Sequence, residues 1–177
     1  KKIELDKIII ERKQGQDIKN KDIDFFYECY CETYRLHHSM PYLNKLFFYE
    51  LVKSMPEKLL LILAIKDDIK IASAFNIIGK ETLYGRYWGA NGYYKFLHYE
   101  LCYYQAIEFA IKYNLDSIEA GAGGSHKISR GYSPVITHSA HYFQNQDIHK
   151  VIDDYLSKES KYVNKEVDIL SKLSPFK

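Results

Sequence analysis

The stretch from Tyr84 to His141 reads YGRYWGANGYYKFLHYELCYYQAIEFAIKYNLDSIEAGAGGSHKISRGYSPVITHSAH. Its first residues belong to a strand expected over Thr82–Ala90, which Asn91-Gly92 ends. Leu97–Asn114 then repeats apolar residues at helical spacing, and Ser117–Ala120 is a short strand running into Gly121, Gly123 and Gly124. A strand, a helix, a second strand and a cationic loop together present a polar site at one edge of a sheet.

Upstream, Leu59–Lys66 and Lys70–Gly79 are rich in β-branched and apolar residues and are joined by Asp67-Asp68, which predicts a hairpin. Over Asp22–His38 the residues Ile23, Phe26, Tyr30, Tyr34 and His37 form one helical stripe, with Asp22 and Asp24 placed favourably at its amino end. Asn44 is positioned to cap a second helix over Lys45–Ser54, which must stop before Pro56. Ile3–Arg12 alternates as a strand. Downstream, Val135–Phe143 is expected as a further strand after Pro134, and Asp147–Leu170 as a closing, charge-laced helix. A run of sequential strands followed by a helix crossover predicts an α/β fold with a mixed central sheet flanked by helices, in a single domain over residues 1–177.

At 177 residues the chain can bury a core without disulfides or metal. The net charge of +2 gives no bulk attraction to nucleic acid or membrane, so any anion site must be local. Cys29 and Cys31 point to different faces of one helix and Cys102 lies in another, which predicts free thiols in a reducing, cytoplasmic compartment. The longest apolar run, Leu59–Ile65, falls far short of the roughly 20 residues that span a bilayer. The amino end lacks the features of a signal peptide, and it begins without Met, as a trimmed or excised piece of a longer chain would.

The glycine-rich segment Gly121–Lys127 fails two nucleotide-binding patterns. A P-loop needs glycine before its lysine and Ser or Thr after it, where this chain has His126 and Ile128; a dinucleotide fingerprint needs glycine at position 126. What remains is a turn whose amides can approach an anion, flanked by Lys127 and Arg130. Glu119 alternates with Ile118 and Ala120, so it faces away from them as a base or as an ion-pair partner of Lys127. Glu100 falls in the apolar arc of its helix between Ile107 and Ile111. It therefore needs a cationic or hydrogen-bonding partner: the first-turn amides on a structural reading, Arg86 or the 126–130 cluster on a functional one.

On strict alternation Tyr84, Arg86 and Trp88 share one strand face and Gly85, Tyr87 and Gly89 the other, where glycine permits close approach of a backbone or a ligand. Trp88 is either a core residue or a platform for a planar substrate. The histidines make no two-ligand metal spacing: His138 and His141 lie three apart on an expected strand, and His37-His38 are adjacent. With 17 copies in the chain, individual tyrosines carry no signal.

GRYWGA, HYELCYYQAIEFAI, IEAGAGGSHKISRGYSP and THSAH together resemble the FemAB-like family of peptidoglycan biosynthesis/recognition proteins, within the GNAT acyltransferase superfamily. The resemblance runs from about Phe25 to Phe143 and corresponds to the carboxyl-terminal half of longer members, which would leave an N-terminal domain or a homodimer as partners. It implies a GNAT-like mixed sheet and transfer of an acyl or aminoacyl group to an amine. The implied donor is aminoacyl-tRNA or acyl-CoA, and the implied acceptor a small molecule or cell-wall precursor. Acetyl-CoA enzymes of this superfamily carry Q/R-x-x-G-x-G/A where this chain has Asn91-Gly92-Tyr93-Tyr94-Lys95-Phe96, a departure from that pattern.

The implied roles place Lys127 and Arg130 against a phosphate or developing oxyanion. His126 or Glu119 would deprotonate the attacking amine. Arg86, Trp88, Glu100 and His141 would bind substrate. Two other readings stay open: a non-catalytic module that recognises an acidic glycan or peptide on a GNAT scaffold, and a structural half-domain that supports a catalytic one.

Overall fold

Two left-handed residues set the centre of the sheet. In the computed structural model, which describes residues 7–121 and 125–175 with the side chains of 125 and 126 excepted, strands β2 (Leu59–Lys66) and β3 (Ile69–Ile78) pair antiparallel. Asp67 and Asp68 join them at φ 49° and 62°. Two consecutive positive φ values match the twist of a tight hairpin, but a Cβ makes each of them costly. Asp68→Gly is therefore expected to raise the free energy of unfolding by up to about 1 kcal/mol, read from urea denaturation. A loss of stability would show instead that the aspartate side chain holds the turn.

Strand β1 (Ile8–Gln14) adds antiparallel to β2, and β4 (Thr82–Ala90) adds antiparallel to β3. Strand β5 (Ser117–Glu119) joins β4 in parallel, so the order is β1-β2-β3-β4-β5 and the sheet is mixed, as the meander and crossover predicted. The residues Ile3 to Asp6 of the expected first strand, and Gly123 and Gly124 of the glycine-rich turn, lie outside the described residues. The chain divides into two compact units, residues 1–121 and 122–177.

In the first unit β2 is buried on both faces, which explains its unbroken apolar run. Leu60, Ile62 and Ala64 pack with Leu83 against α3, whose Leu97, Leu101 and Phe109 point inward. Leu59, Leu61 and Leu63 pack with Phe75 against Phe26 and Tyr30 of α1 (Asn20–Leu36) and Phe48 of α2 (Lys45–Ser54). The Asn44 side chain caps α2, accepting from the Phe47 amide at 2.9 Å. Helix α3 begins as Leu97–Tyr99, widens to a π-helical turn over Glu100–Tyr104 and ends as Gln105–Lys112.

The start of α1 is held by a buried ion triad. The Asp22 carboxylate is fully buried and accepts from Lys70 Nζ at 2.6 Å, Lys13 Nζ at 3.0 Å and the Lys19 amide at 3.0 Å. Burial on its own would raise its pKa; the Lys70 hydrogen bond, the Lys19 amide and Lys13 together outweigh that and hold it below the usual carboxylate value. One side chain thus ties α1 to β1 and β3.

The second unit contains a 3-10 turn at Ser125–Arg130 and α4 (Gln146–Ser171), whose first amides, Asp147 and Ile148, donate to Asn145 Oδ1. Val135–Phe143 is not a strand, contrary to the sequence expectation: it has irregular backbone, and Val135 and Ile136 are exposed. A short apolar run forms a strand only where an edge pairs its amides, and none of the described strands does so here. Helix α4 leaves Ile148, Val151, Tyr155 and Tyr162 exposed. Among the described residues no helix is long and apolar enough to cross a membrane.

Candidate functional site

Strands β4 and β5 pair in register over Thr82↔Ser117, Leu83↔Ile118 and Tyr84↔Glu119. From Gly85 to Ala90, β4 continues without a described strand along that edge. Within the same stretch Asn76 opposes Gly85 while Phe75 opposes Tyr87, so Arg86 is the extra residue of a β-bulge. A bulge reverses the alternation beyond it and re-aims the side chain it carries.

The consequence corrects the strict alternation expected from sequence. Leu83, Trp88 and Ala90 all face the α3 layer, although strict alternation would put Leu83 on the opposite face from the other two. Tyr87 packs on the α1 layer instead. Arg86 stays with Tyr84, its guanidinium 5.4 Å from the ring centre, and Trp88 is on the opposite face from both. Glu119 is the register partner of Tyr84 and alternates with Ile118, which packs in the α3 layer; Glu119 and Arg86 therefore share the α1 face.

On that face a pocket of ≈ 550 Å³ opens beside Arg86. Tyr30, Tyr34 and His37 supply successive turns of α1, and Tyr42 and Tyr87 close the opposite wall. The rings form a continuous surface, with Tyr30 4.9 Å from Tyr34 and 5.1 Å from Tyr87. The Tyr42 and Tyr87 hydroxyls are 2.7 Å apart. Burial pushes the Tyr30 and Tyr87 phenols far above their ordinary pKa, so both stay protonated as hydrogen-bond donors. No aspartate or glutamate lines this pocket.

Helix α1 reaches the strand because Gly89 has no side chain. A Cβ placed there would lie 2.9 Å from Cys29 Cβ and closer still to the Cys29 carbonyl. The Thr33 hydroxyl completes the seam, 2.9 Å from the Trp88 carbonyl and 3.1 Å from that of Cys29. Of the two partners that sequence allowed for a strand glycine, the structure puts a helix backbone at this one. The Cys29 thiol beneath it is pushed up to about 12 by burial and is inert at neutral pH.

On the other face a second pocket, ≈ 340 Å³, lies at the start of α3. The β4–α3 connection lines it with Tyr93, Tyr94, Lys95 and Phe96, the last at φ 69°. His98 packs edge-on against Trp88 at 5.2 Å and against Tyr103 at 5.6 Å. Trp88 lines both pockets. Glu100 takes neither the amides nor a cation as its side-chain partner within this unit: Gln105 Nε2 donates to it at 2.9 Å. The π turn causes this, since it aligns residues five apart instead of four.

In the second unit Lys127 and Arg130 are three apart on a 3-10 helix, so they project from the same side. Both are half-buried, and burial lowers the Lys127 pKa from its usual value. Arg130 Nη1 donates to Ser129 Oγ at 3.1 Å. His141 lies in irregular backbone with Nε2 3.1 Å from Ser139 Oγ. The side chain of His126 is outside the described residues.

The tyrosine pocket and the Lys95–His98 pocket escaped the sequence reading. The usable signal for the first was the spacing Tyr30, Tyr34, His37, one face of α1 over two turns, ending opposite a strand that carries Tyr87.

Residues 1–177 match the FemAB_like family, described as peptidoglycan biosynthesis/recognition. The chain belongs to this family. No curated protein sequence matches it. Among solved structures, the FemAB-like chain resembles an aminoglycoside acetyltransferase, meta-AAC0020, from an uncultured soil metagenomic sample, crystallised with sisomicin. That likeness has a TM-score of 0.56 at 10% identity over 81% of this chain and 98% of that one. It also resembles the ribosomal-protein-alanine N-acetyltransferase of Brucella melitensis biovar Abortus 2308, at TM-score 0.51 and 8% identity over 78% and 99% of the two chains. A point mutant of the BH1408 protein from Bacillus halodurans gives 0.51 and 14% over 76% and 99%. At such identities the likeness establishes the fold: a mixed α/β sheet flanked by helices, shared with these two acetyltransferases.

Proposed function

We propose that this FemAB-like protein transfers an acyl or aminoacyl group to an amine. The observation that carries the reading is the pair of pockets on opposite faces of β4, both with Trp88 in their lining. A group-transfer enzyme must hold two molecules with their reacting atoms about 3–3.5 Å apart. One strand edge between two pockets suits that task. The α3-side pocket, with Lys95, is assigned to an acyl-CoA or aminoacyl-tRNA donor and the tyrosine pocket to the acceptor. Two of the similar structures are by name acetyltransferases, one of aminoglycosides and one of a ribosomal-protein alanine. The family description favours a cell-wall precursor as acceptor, and a cytoplasmic location is part of the same proposal.

In the step itself the amine nitrogen attacks the acyl carbonyl and a C–N bond forms. The C–S or C–O bond to the donor breaks, and the amine proton passes through a base to the leaving group. Glu119 is proposed as that base, because it faces the α1 side beside Tyr84. Lys127 and Arg130 are proposed to neutralise the oxyanion or a donor phosphate, with His126 as an alternative base. Trp88, Arg86, Glu100 and His141 enter as binding contacts.

The test is transfer from acetyl-CoA, and separately from aminoacyl-tRNA, to a panel of amines. Lys127→Ala is expected to lower kcat by about 10²–10³-fold and Glu119→Gln by about 10²–10⁴-fold, with melting temperatures unchanged. Undiminished transfer by both variants removes the assigned roles. Acceptor binding by the wild type with no turnover from either donor supports the recognition module instead.

A further inference from the structure

We infer that the tyrosine pocket on the α1 face takes an aromatic α-amino acid, its carboxylate at Arg86 and its ring among the tyrosines. The inference rests on the acyltransfer reading only for the amine; the carboxylate and the ring follow from the pocket itself.

Charge decides the first part. No acidic side chain lines the pocket, and Arg86, the cation at its mouth, has no carboxylate within ion-pair distance among the described residues. Its ring contact is Tyr84, and the bulge turns it to this side. A polycationic acceptor would have to desolvate several ammonium groups next to a guanidinium in a pocket with no acidic group among its described lining, which is costly. A carboxylate in the same place gains a charge-assisted, two-pronged hydrogen bond.

The walls decide the second. Tyr30, Tyr34, Tyr42 and Tyr87 pack on one another tilted or edge-on and line the pocket with aromatic surface, which a further ring can contact. The lining contains no Asn, Gln, Asp or Glu to bond the adjacent hydroxyls of a sugar in pairs. At ≈ 550 Å³ the cavity admits a small acceptor whole or the end of a longer one. Glu119, on the same face beside Tyr84, faces the side on which an α-amino group would emerge.

The Trp88 ring packs on the other face of β4, so occupancy of the pocket is read by isothermal titration calorimetry. Two probes each remove one group from L-phenylalanine, phenylpropionate the amine and phenethylamine the carboxylate, and a fourth, glucuronate, carries its carboxylate on a sugar ring. L-phenylalanine and phenylpropionate are expected to bind with saturable heat, and phenethylamine and glucuronate to bind at least about tenfold more weakly. Arg86→Gln should weaken L-phenylalanine and phenylpropionate by about tenfold or more and leave phenethylamine unchanged. Arg86→Glu should reverse the order of phenylpropionate and phenethylamine. Arg86 is exposed, and unchanged melting curves will show that both variants fold.

Equal binding of phenethylamine and phenylalanine overturns the proposal, as does tighter binding of glucuronate, indifference to Arg86→Gln, or no response to any aromatic carboxylate. The two readings fail separately. Transfer to amines that lack a carboxylate, with no heat of phenylalanine binding, sinks the acceptor class and leaves the transferase. Phenylalanine held at Arg86 but never acylated by either donor sinks the transferase and leaves the pocket.

Discussion

Asp22→Ala is expected to lower the free energy of unfolding by about 3–5 kcal/mol, the usual cost of removing one partner from a buried ion cluster. The carboxylate has no exposed surface, and the side chains of Lys13 and Lys70 that meet it are 15% and 23% exposed, so water cannot replace it. The variant leaves two half-buried ammonium groups side by side and an unanswered Lys19 amide at the start of α1. Asp22→Asn keeps the shape and one acceptor oxygen, and should lose less. Urea denaturation followed at Trp88 gives both numbers.

The same triad predicts an acid limb. Because the folded pKa of Asp22 lies below its unfolded value of about 3.9, its contribution is complete above roughly pH 5 and fades as pH falls through the folded pKa. The stability gap between wild type and Asp22→Asn should therefore shrink below about pH 4. A gap that stays constant to about pH 3 would mean that the carboxylate titrates normally and that the triad contributes only shape.

Periodicity sufficed for most of the framework because most of these elements owe their limits to local chemistry. Lys45–Ser54 begins at a capping Asn and ends ahead of a proline, and it lies where those two residues put it. Thr82–Ala90 ends at Asn91-Gly92, and the apolar run of β2 reports burial on both faces. Where the reading missed, the deciding term was not local. Val135–Phe143 has the alternation of a strand but no edge to pair with among the described strands. The bulge at Arg86 depends on how β3 and β4 settle their register, and a single extra residue there moved Trp88 to the opposite face from Arg86. Glu100 does have a hydrogen-bonding partner, as expected, but the π turn places it five residues on at Gln105, which a helical wheel of constant pitch cannot display.

The candidate site was less legible than the fold. Arg86, Trp88 and Glu119 were visible as unusual polar or aromatic choices next to glycines, and the structure sets Arg86 and Glu119 on one face. The tyrosines were hidden by their number. Tyr30, Tyr34, Tyr42 and Tyr87 come from a helix, a loop and a strand, so only the packing of α1 on β4 assembles them.

That packing hangs on Gly89, and Gly89→Ala should cost about 3 kcal/mol or more and close or displace the tyrosine pocket. Overpacking usually costs about 1–3 kcal/mol because a side chain can rotate aside. Here the added methyl meets the backbone of Cys29, whose carbonyl and Cβ are fixed by the turn of α1 they belong to. Ser73 and Cys29, the small residues packed with Gly89, leave no slack: Ser73 is its register partner across the sheet, and both are fully buried or nearly so. Relief requires α1 to lift, which breaks the Thr33 hydrogen bond to the Trp88 carbonyl and moves Tyr30 and Tyr34 away from Tyr87. Gly85→Ala is the internal control, since its nearest neighbour would be the Glu119 carbonyl oxygen at 3.5 Å, an ordinary contact. It should stay within about 1 kcal/mol of wild type. If Gly89→Ala unfolds no more easily than Gly85→Ala and its Trp88 emission is unaltered, then α1 is not clamped to β4 through this seam. The tyrosine pocket would then owe its shape to something other than the glycine.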